Sequence, residues 1–167
     1  DLHLLSRRQR QMCIRDSRIY RSKKGILVRD GHPVIEAYEK AGVMTWELLN
    51  RWPAVCVTAG MKDGGAKSVE GRRVGVVLPY FLTVPYVVAR TDFTFEGPLI
   101  TLRRFMMDSQ FQFRILPMPE ESGPFEPRLV WHHCSHTDPF LQWVRGLVVD
   151  AARSEARLLG VIDTSEE

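Results

Sequence analysis

His132, His133, Cys134 and His136 gather four zinc-ligand side chains into one short stretch, the densest chemistry in the chain. A structural zinc site needs spaced pairs such as C-x2-C with H-x3-H, because its ligands converge tetrahedrally. Adjacent His132 and His133 on a strand point to opposite faces. The spacing therefore argues for a strand end turning into a helix, not for metal. A thiol beside histidines can also form a nucleophile–base pair, but no third group is spaced to orient the base. Lys62-Asp63-Gly64-Gly65-Ala66-Lys67-Ser68 has the composition of a phosphate loop without its G-x4-G-K-[ST] spacing, and no helix pattern follows. Arg103-Arg104 reads as a solvated helix face, and Met106-Met107 as core and helix end. No carboxylate pair is spaced for acid–base work. The residues thus assign no catalytic group, no metal and no cofactor.

One turn has a mechanism behind it. Leu78-Pro79-Tyr80-Phe81-Leu82-Thr83 follows an apolar strand and enters a helical stretch. In open α/β sheets, ligands sit beyond the carboxyl ends of strands, where the next backbone N–H groups are unpaired. Such a turn can receive a carboxylate or another polar group, with Tyr80 or Phe81 as an aromatic wall. The same residues can equally make a plain strand–helix junction, and pattern alone leaves both readings open.

The elements that must position these groups alternate in type. Gly25-Ile26-Leu27-Val28 reads as a strand stopped by Arg29-Asp30-Gly31-His32-Pro33. Thr45 can cap a short helix over Trp46 to Arg51, which Trp52-Pro53 ends. Ala54-Val55-Cys56-Val57 is a second strand, and Met61 to Gly71 is polar and Gly-rich, hence loop. Val74-Gly75-Val76-Val77-Leu78 is apolar throughout, which predicts a strand covered on both faces as in a parallel sheet. Phe81 to Ala89 and Ile100 to Met107 read as helices and Phe93 to Phe95 as a brief strand. Phe111, Phe113 and Ile115 alternate with polar residues at a period of two. Pro117 to Pro127 is a Pro- and Glu-rich connector, followed by a strand over Arg128 to Trp131. Asp138 and Pro139 then form the cap and first turn of a helix reaching about Leu158. Phe140, Val144, Leu147, Val148 and Ala151 make one apolar face of it. Strands alternating with helices, and no hairpin signal, give an α/β class with crossover connections.

The first seventeen residues call for separate treatment. Arg7, Arg8, Arg10 and Arg15 look like a basic arm. Arg7 to Ser17, however, reads codon by codon as the translation of a transposase-type sequencing adapter. Asp1-Leu2-His3 fits its upstream primer, and Leu4-Leu5-Ser6 an index. We read residues 1–17 as a non-native segment, to be set aside as a tag would be. Without its four arginines and two aspartates (Asp1 and Asp16), the net charge falls from +3 to +1, and the nucleic-acid signal fades. Cys56 and Cys134 then remain without paired spacing, as suits a reducing compartment. No apolar run approaches the roughly 18–20 residues that span a bilayer. About 150 residues suffice for one domain with a core.

Three stretches carry a resemblance. Arg72-Arg73-Val74-Gly75-Val76-Val77-Leu78-Pro79-Tyr80-Phe81-Leu82-Thr83-Val84-Pro85, continuing to Thr91-Asp92, resembles the regulatory region of LysR-type transcriptional regulators. The nearest branch carries R-R-V-A-x-x-V-P-H-F-L-x-x-P and then T-D-L. Leu129-Val130-Trp131-His132, with His136-Thr137-Asp138-Pro139 and Trp143-Val144, is similar to that branch's L-V-W-H-x-R-x-H-x-D-P-x-x-x-W-L ending. Tyr20 to Pro33 resembles the segment entering its second lobe. The branch contains nodulation-type and aromatic-compound-responsive regulators.

The resemblance implies a two-lobed, periplasmic-binding-protein-like (type II) effector domain, behind a winged helix-turn-helix that this chain does not contain. Residues 18–117 would be the second lobe, 118–126 a connector, 127–158 the strand and helix returning to the first lobe, and 159–167 a tail. It implies a non-enzymatic, cytoplasmic sensor without a membrane segment. Its effector would bind between the lobes, with an aromatic acid expected. DNA would be bound only through the missing N-terminal domain, by a homodimer or homotetramer. His32, Tyr80, Phe81 and Thr83 become the effector-contact candidates. Tyr80 departs from the branch's histidine, and Met61 to Gly71 is shorter and more polar than its usual helix. A solute-binding protein of a transport system, on the same fold, is the alternative. On the two-lobe reading, the apolar face of the last helix should be uncovered, beyond the few hundred Å² usual for a monomer.

Overall fold

The computed structural model describes residues 14–58, 71–120 and 122–162. Lys62–Ser68, nearly all of the expected Met61–Gly71 loop, and residues 1–13 of the expected non-native segment lie outside the described residues. Along the chain run β1 (Ile14–Arg18), β2 (Lys24–Arg29), α1 (Pro33–Ala41), α2 (Trp46–Leu49), β3 (Ala54–Val57), β4 (Val74–Leu78) and α3 (Val84–Val88). They are followed by β5 (Thr94–Pro98), α4 (Leu99–Asp108), β6 (Phe113–Pro117), β7 (Arg128–His132) and α5 (Pro139–Leu158). Two compact units result: Lys23–Pro124, and a second built from the residues up to Ser22 and from Phe125 onward. Arg18 to Ser22, expected as the start of a lobe over 18–117, cluster with β7 in this second unit. Ile19 N–H donates to the Pro127 carbonyl, and Ser22 exchanges backbone bonds with Phe125.

The larger unit is a mixed five-stranded sheet in the order β4-β3-β5-β2-β6. β3 runs parallel to β4 and β5, while β2 runs antiparallel to both β5 and β6. Successive β2 side chains serve different cores. Leu27 packs with Val84 and Val88 of α3, Phe95, and Leu102 and Phe105 of α4. Ile26 and Val28 pack on the opposite face with Val34 of α1, Leu48 and Leu49 of α2, and Leu116. All three β2 residues are fully buried, each worth about 1.5–3 kcal/mol of transfer free energy. The doubly covered strand is therefore β2. β4, expected to be buried on both faces, is instead an edge strand, with Val74 37% and Val77 51% exposed.

Gly25 and Gly97 are paired across β2 and β5, and together they form the slot that seats Leu102. A Cβ on Gly25 would meet Ile115 Cγ2 at 2.9 Å and Leu102 Cδ1 at 3.2 Å, and one on Gly97 would meet Leu102 Cδ2 at 3.4 Å. Gly25→Val is expected to cost about 1–3 kcal/mol through overpacking, read as a lowered urea midpoint. An unchanged midpoint would mean that α4 tolerates a wider seat.

In the smaller unit β1 and β7 pair antiparallel, from Ile14 opposite His132 to Arg18 opposite Arg128. Every β1 residue is exposed, including Ile14 to Ser17 of the expected non-native segment. Arg128 pairs with Asp16, and Ser22 Oγ donates to the Val161 carbonyl at 3.0 Å. α5 starts where its cap chemistry dictates. Asp138 Oδ1 accepts from Leu141 N–H at 3.0 Å, and Pro139 fills a first-turn position whose N–H has no helical partner. The expected apolar face is largely uncovered, with Phe140 65%, Leu147 49% and Val148 43% exposed and Trp143 exposed beside them.

Candidate functional site

The turn after β4 presents three consecutive large side chains to solvent: Tyr80 at 67%, Phe81 at 43% and Leu82 at 79% exposure. Its geometry follows from local bonding. Thr58 N–H donates to the Leu78 carbonyl at 3.0 Å, which carries the pairing of β3 and β4 to the last residue of β4. Pro79 cannot donate and breaks the ladder. Tyr80 is extended, and residues 81–83 form a 3-10 turn that leads into α3. Thr83 closes the turn, its hydroxyl donating to the Tyr80 carbonyl at 2.7 Å. That hydroxyl proton is engaged, so Thr83 keeps only acceptor capacity for a ligand. Phe81 meets buried Phe95 edge-to-face, with centroids 6.2 Å apart, so one edge of its ring is fixed by the core. The result is an aromatic and aliphatic shelf with one phenol, suited to the face of a ring and to a polar group on its rim. It holds no proton donor–acceptor pair or nucleophile for chemistry.

His32 does not belong to this shelf. The carboxyl ends of β3, β4 and β5 share one end of the sheet, and antiparallel β2 ends at the other. His32, three residues past β2, is therefore displaced from Tyr80 by about one strand length along the sheet, roughly 16 Å for five residues, and by three strand spacings across it. It is 1% exposed. Its Nδ1 accepts from Val34 N–H at 3.0 Å, capping α1. Its ring packs edge-on against Trp52 with centroids 5.6 Å apart. An imidazole so enclosed serves the fold and presents nothing to a ligand on the shelf.

The His–Cys stretch resolves into single-purpose contacts. His132 Nδ1 accepts from Cys134 N–H at 3.3 Å and lies 2.9 Å from Cys134 Sγ. Arg15 Nε donates to His133 Nδ1 at 3.0 Å, and Trp131 Nε1 donates to His136 Nδ1 at 3.3 Å. Arg145 of α5 fastens the turn, donating to the Ser135 and His136 carbonyls and lying 4.9 Å over the Trp131 ring. Loss of solvation, with the charges of Arg15 and Arg145, holds His136 below the ordinary imidazole pKa. Among the described residues no group of three His, Cys, Asp or Glu side chains could hold a metal.

Sequence reasoning missed Arg72. Its side chain is 2% exposed and paired with Glu96 of β5. It also donates to Asn50 Oδ1 at 2.8 Å and Thr94 Oγ1 at 2.7 Å. Its partners lie more than twenty positions away, where no local spacing reveals them.

The fold is that of the effector-binding regulatory domains of LysR-type regulators. The regulatory domain of MetR, a LysR family regulator from N. meningitidis, matches with a TM-score of 0.62 at 10% identity, over 92% of this chain and 70% of that one. The probable transcriptional regulator PA0477 from Pseudomonas aeruginosa matches at 0.64 and 21% identity, over 90% of this chain and 46% of that one. The effector-binding domain of QuiR in complex with shikimate matches at 0.62 and 8% identity, over 86% of this chain and 68% of that one. In sequence the chain is homologous to HTH-type transcriptional regulators of the SyrM kind. It is 31% identical over 77 residues to SyrM of Rhizobium meliloti (strain 1021), and 26% identical over 143 residues to SyrM 1 of Sinorhizobium fredii (strain NBRC 101917 / NGR234). These stretches are 46% and 81% of this chain but 23% and 40% of those proteins, so the chain spans less than half of either relative. No family model matches the chain. Its relatives are regulators, not enzymes, and no helix among the described residues is long and apolar enough to cross a membrane.

Proposed function

We propose that this chain is the ligand-sensing part of a cytoplasmic, non-enzymatic LysR-type regulator, and that its effector rests against the shelf of Tyr80, Phe81 and Leu82. The observation that carries the reading is the exposure of these three side chains at the carboxyl ends of β3 and β4, where α/β sheets take their ligands. The shelf's chemistry favours a ring compound, and a carboxylic acid on that ring fits the acceptance of shikimate by QuiR. The effector would act by population shift, favouring whichever state of the regulator it binds more tightly. DNA contact and assembly as a homodimer or homotetramer would rest on parts of a longer protein. The uncovered face of α5 supports that reading, since Phe140, Leu147 and Val148 have the spacing of a helix face made for packing. The regulator relatives favour sensing for transcription over solute capture for transport.

The test is calorimetry on the protein carrying its upstream lobe, titrated with benzoate, salicylate and shikimate. Saturable binding of at least one ring acid, with Kd near or below about 1 mM, is expected. Titrations without heat across the series, on folded protein at several temperatures, would remove ring acids as the effector class.

A further inference from the structure

Gly31 has φ +68°, a conformation that favours glycine, and it turns the chain so that the His32 ring folds inward under the first turn of α1. Nδ1 accepts from Val34 N–H, so the neutral ring carries its proton on Nε2. Nε2 is buried without a fully formed hydrogen bond, and a backbone interaction with Asp92 favours the charged ring. The ring therefore fits its site in one protonation state only. A proton added at Nδ1 would face the Val34 N–H, donor against donor, and α1 would lose its cap. The charged neighbours acting on the ring are Asp92, before β5, and Arg29, at the end of β2, and these two are themselves paired at 2.7 Å. Trp52, on its way into β3, contributes only an aromatic edge.

We propose that His32 is an acid-sensitive latch on α1, closed while the imidazole is neutral and released when it is protonated. The latch lies at the end of the sheet opposite Tyr80, so it acts on the α1–α2 layer and not on the shelf. Burial lowers the ring's pKa from the ordinary 6.5; Asp92 opposes this, and Arg29 adds to it. The sign follows from linkage. Below about pH 6.5 the unfolded chain binds a proton that the folded chain refuses. The stabilisation is therefore complete above that pH and is lost as pH falls through and below it.

The experiment compares the full chain with His32→Asn, which keeps an N-cap acceptor without titrating. Between about pH 7.5 and 5.5 the wild type is expected to lose several degrees of Tm more than the variant, whose remaining slope comes from groups common to both proteins, His136 among them. Equal slopes in the two proteins would overturn the proposal. Nuclear magnetic resonance of the wild-type imidazoles supplies a second reading should the variant fold poorly. Protonation of His32 is expected to coincide with loss of hydrogen-exchange protection at Val34 N–H. Titration of His32 near 6.5 with Val34 still protected would also overturn it.

Discussion

Replacing Arg72 with alanine is expected to lower the unfolding free energy by about 3–5 kcal/mol, the cost of breaking a buried ion pair by removing one partner. The guanidinium is nearly inaccessible, and the Glu96 side chain is only 19% exposed. Alanine would leave that carboxylate uncompensated and strip Asn50 Oδ1 and Thr94 Oγ1 of a donor. Asn50 is the C-cap of α2, while Thr94 and Glu96 lie on the same face of β5. One side chain thus ties the segment entering edge strand β4 to a helix end and to an inner strand. Arg72→Lys should recover little, because one ammonium cannot reproduce the planar fork that serves three acceptors. Arg72→Met combined with Glu96→Gln should cost clearly less than Arg72→Ala, since no buried charge is left behind. Urea unfolding followed by circular dichroism measures all three. A loss below about 1 kcal/mol for Arg72→Ala would place the pair among surface ion pairs and remove the network from the account.

Local rules made much of this fold legible. Asp138-Pro139 announced α5 to the residue, Thr45 announced α2, and four-residue β3 stood out as an apolar run between turns. What local rules could not supply was strand order and direction. Val74–Leu78 and Ile26-Leu27-Val28 are equally apolar, yet one sits at an edge and the other is covered by helices on both faces. Composition reports what a strand tolerates, not where it lies. Strand order and direction likewise separate His32 from the shelf. The resemblance paired it with Tyr80, but antiparallel β2 delivers it to the far end of the sheet, where it caps a helix. Tyr80, Phe81 and Thr83 were found together because one turn holds them, with no need for long-range topology. Arg72 needed it, and was missed.

Tyr80 and Phe81 should separate when each is truncated, because the core supports only one of them. Tyr80 is two-thirds exposed, so Tyr80→Ala is expected to change stability by less than about 0.5 kcal/mol. If the shelf binds the effector, the same substitution should weaken affinity tenfold or more, about 1.4 kcal/mol, as expected for an aromatic anchor. Phe81→Ala should cost both, since losing the edge-to-face contact with Phe95 removes about 0.5–1.5 kcal/mol beyond the buried area. Tyr80→Phe then distinguishes the ring from its hydroxyl. Full affinity means that the aromatic face carries the contact, and a loss equal to that of alanine means that the phenol does. Tyr80→His introduces the residue that the LysR resemblance expects at this position, and it should alter which ring acid binds best more than how stably the chain folds. Thermal melts and calorimetry on the same four proteins give both axes. Unchanged affinity in Tyr80→Ala and Phe81→Ala alike would move the effector off this turn, leaving the exposed shelf as a plain strand–helix junction.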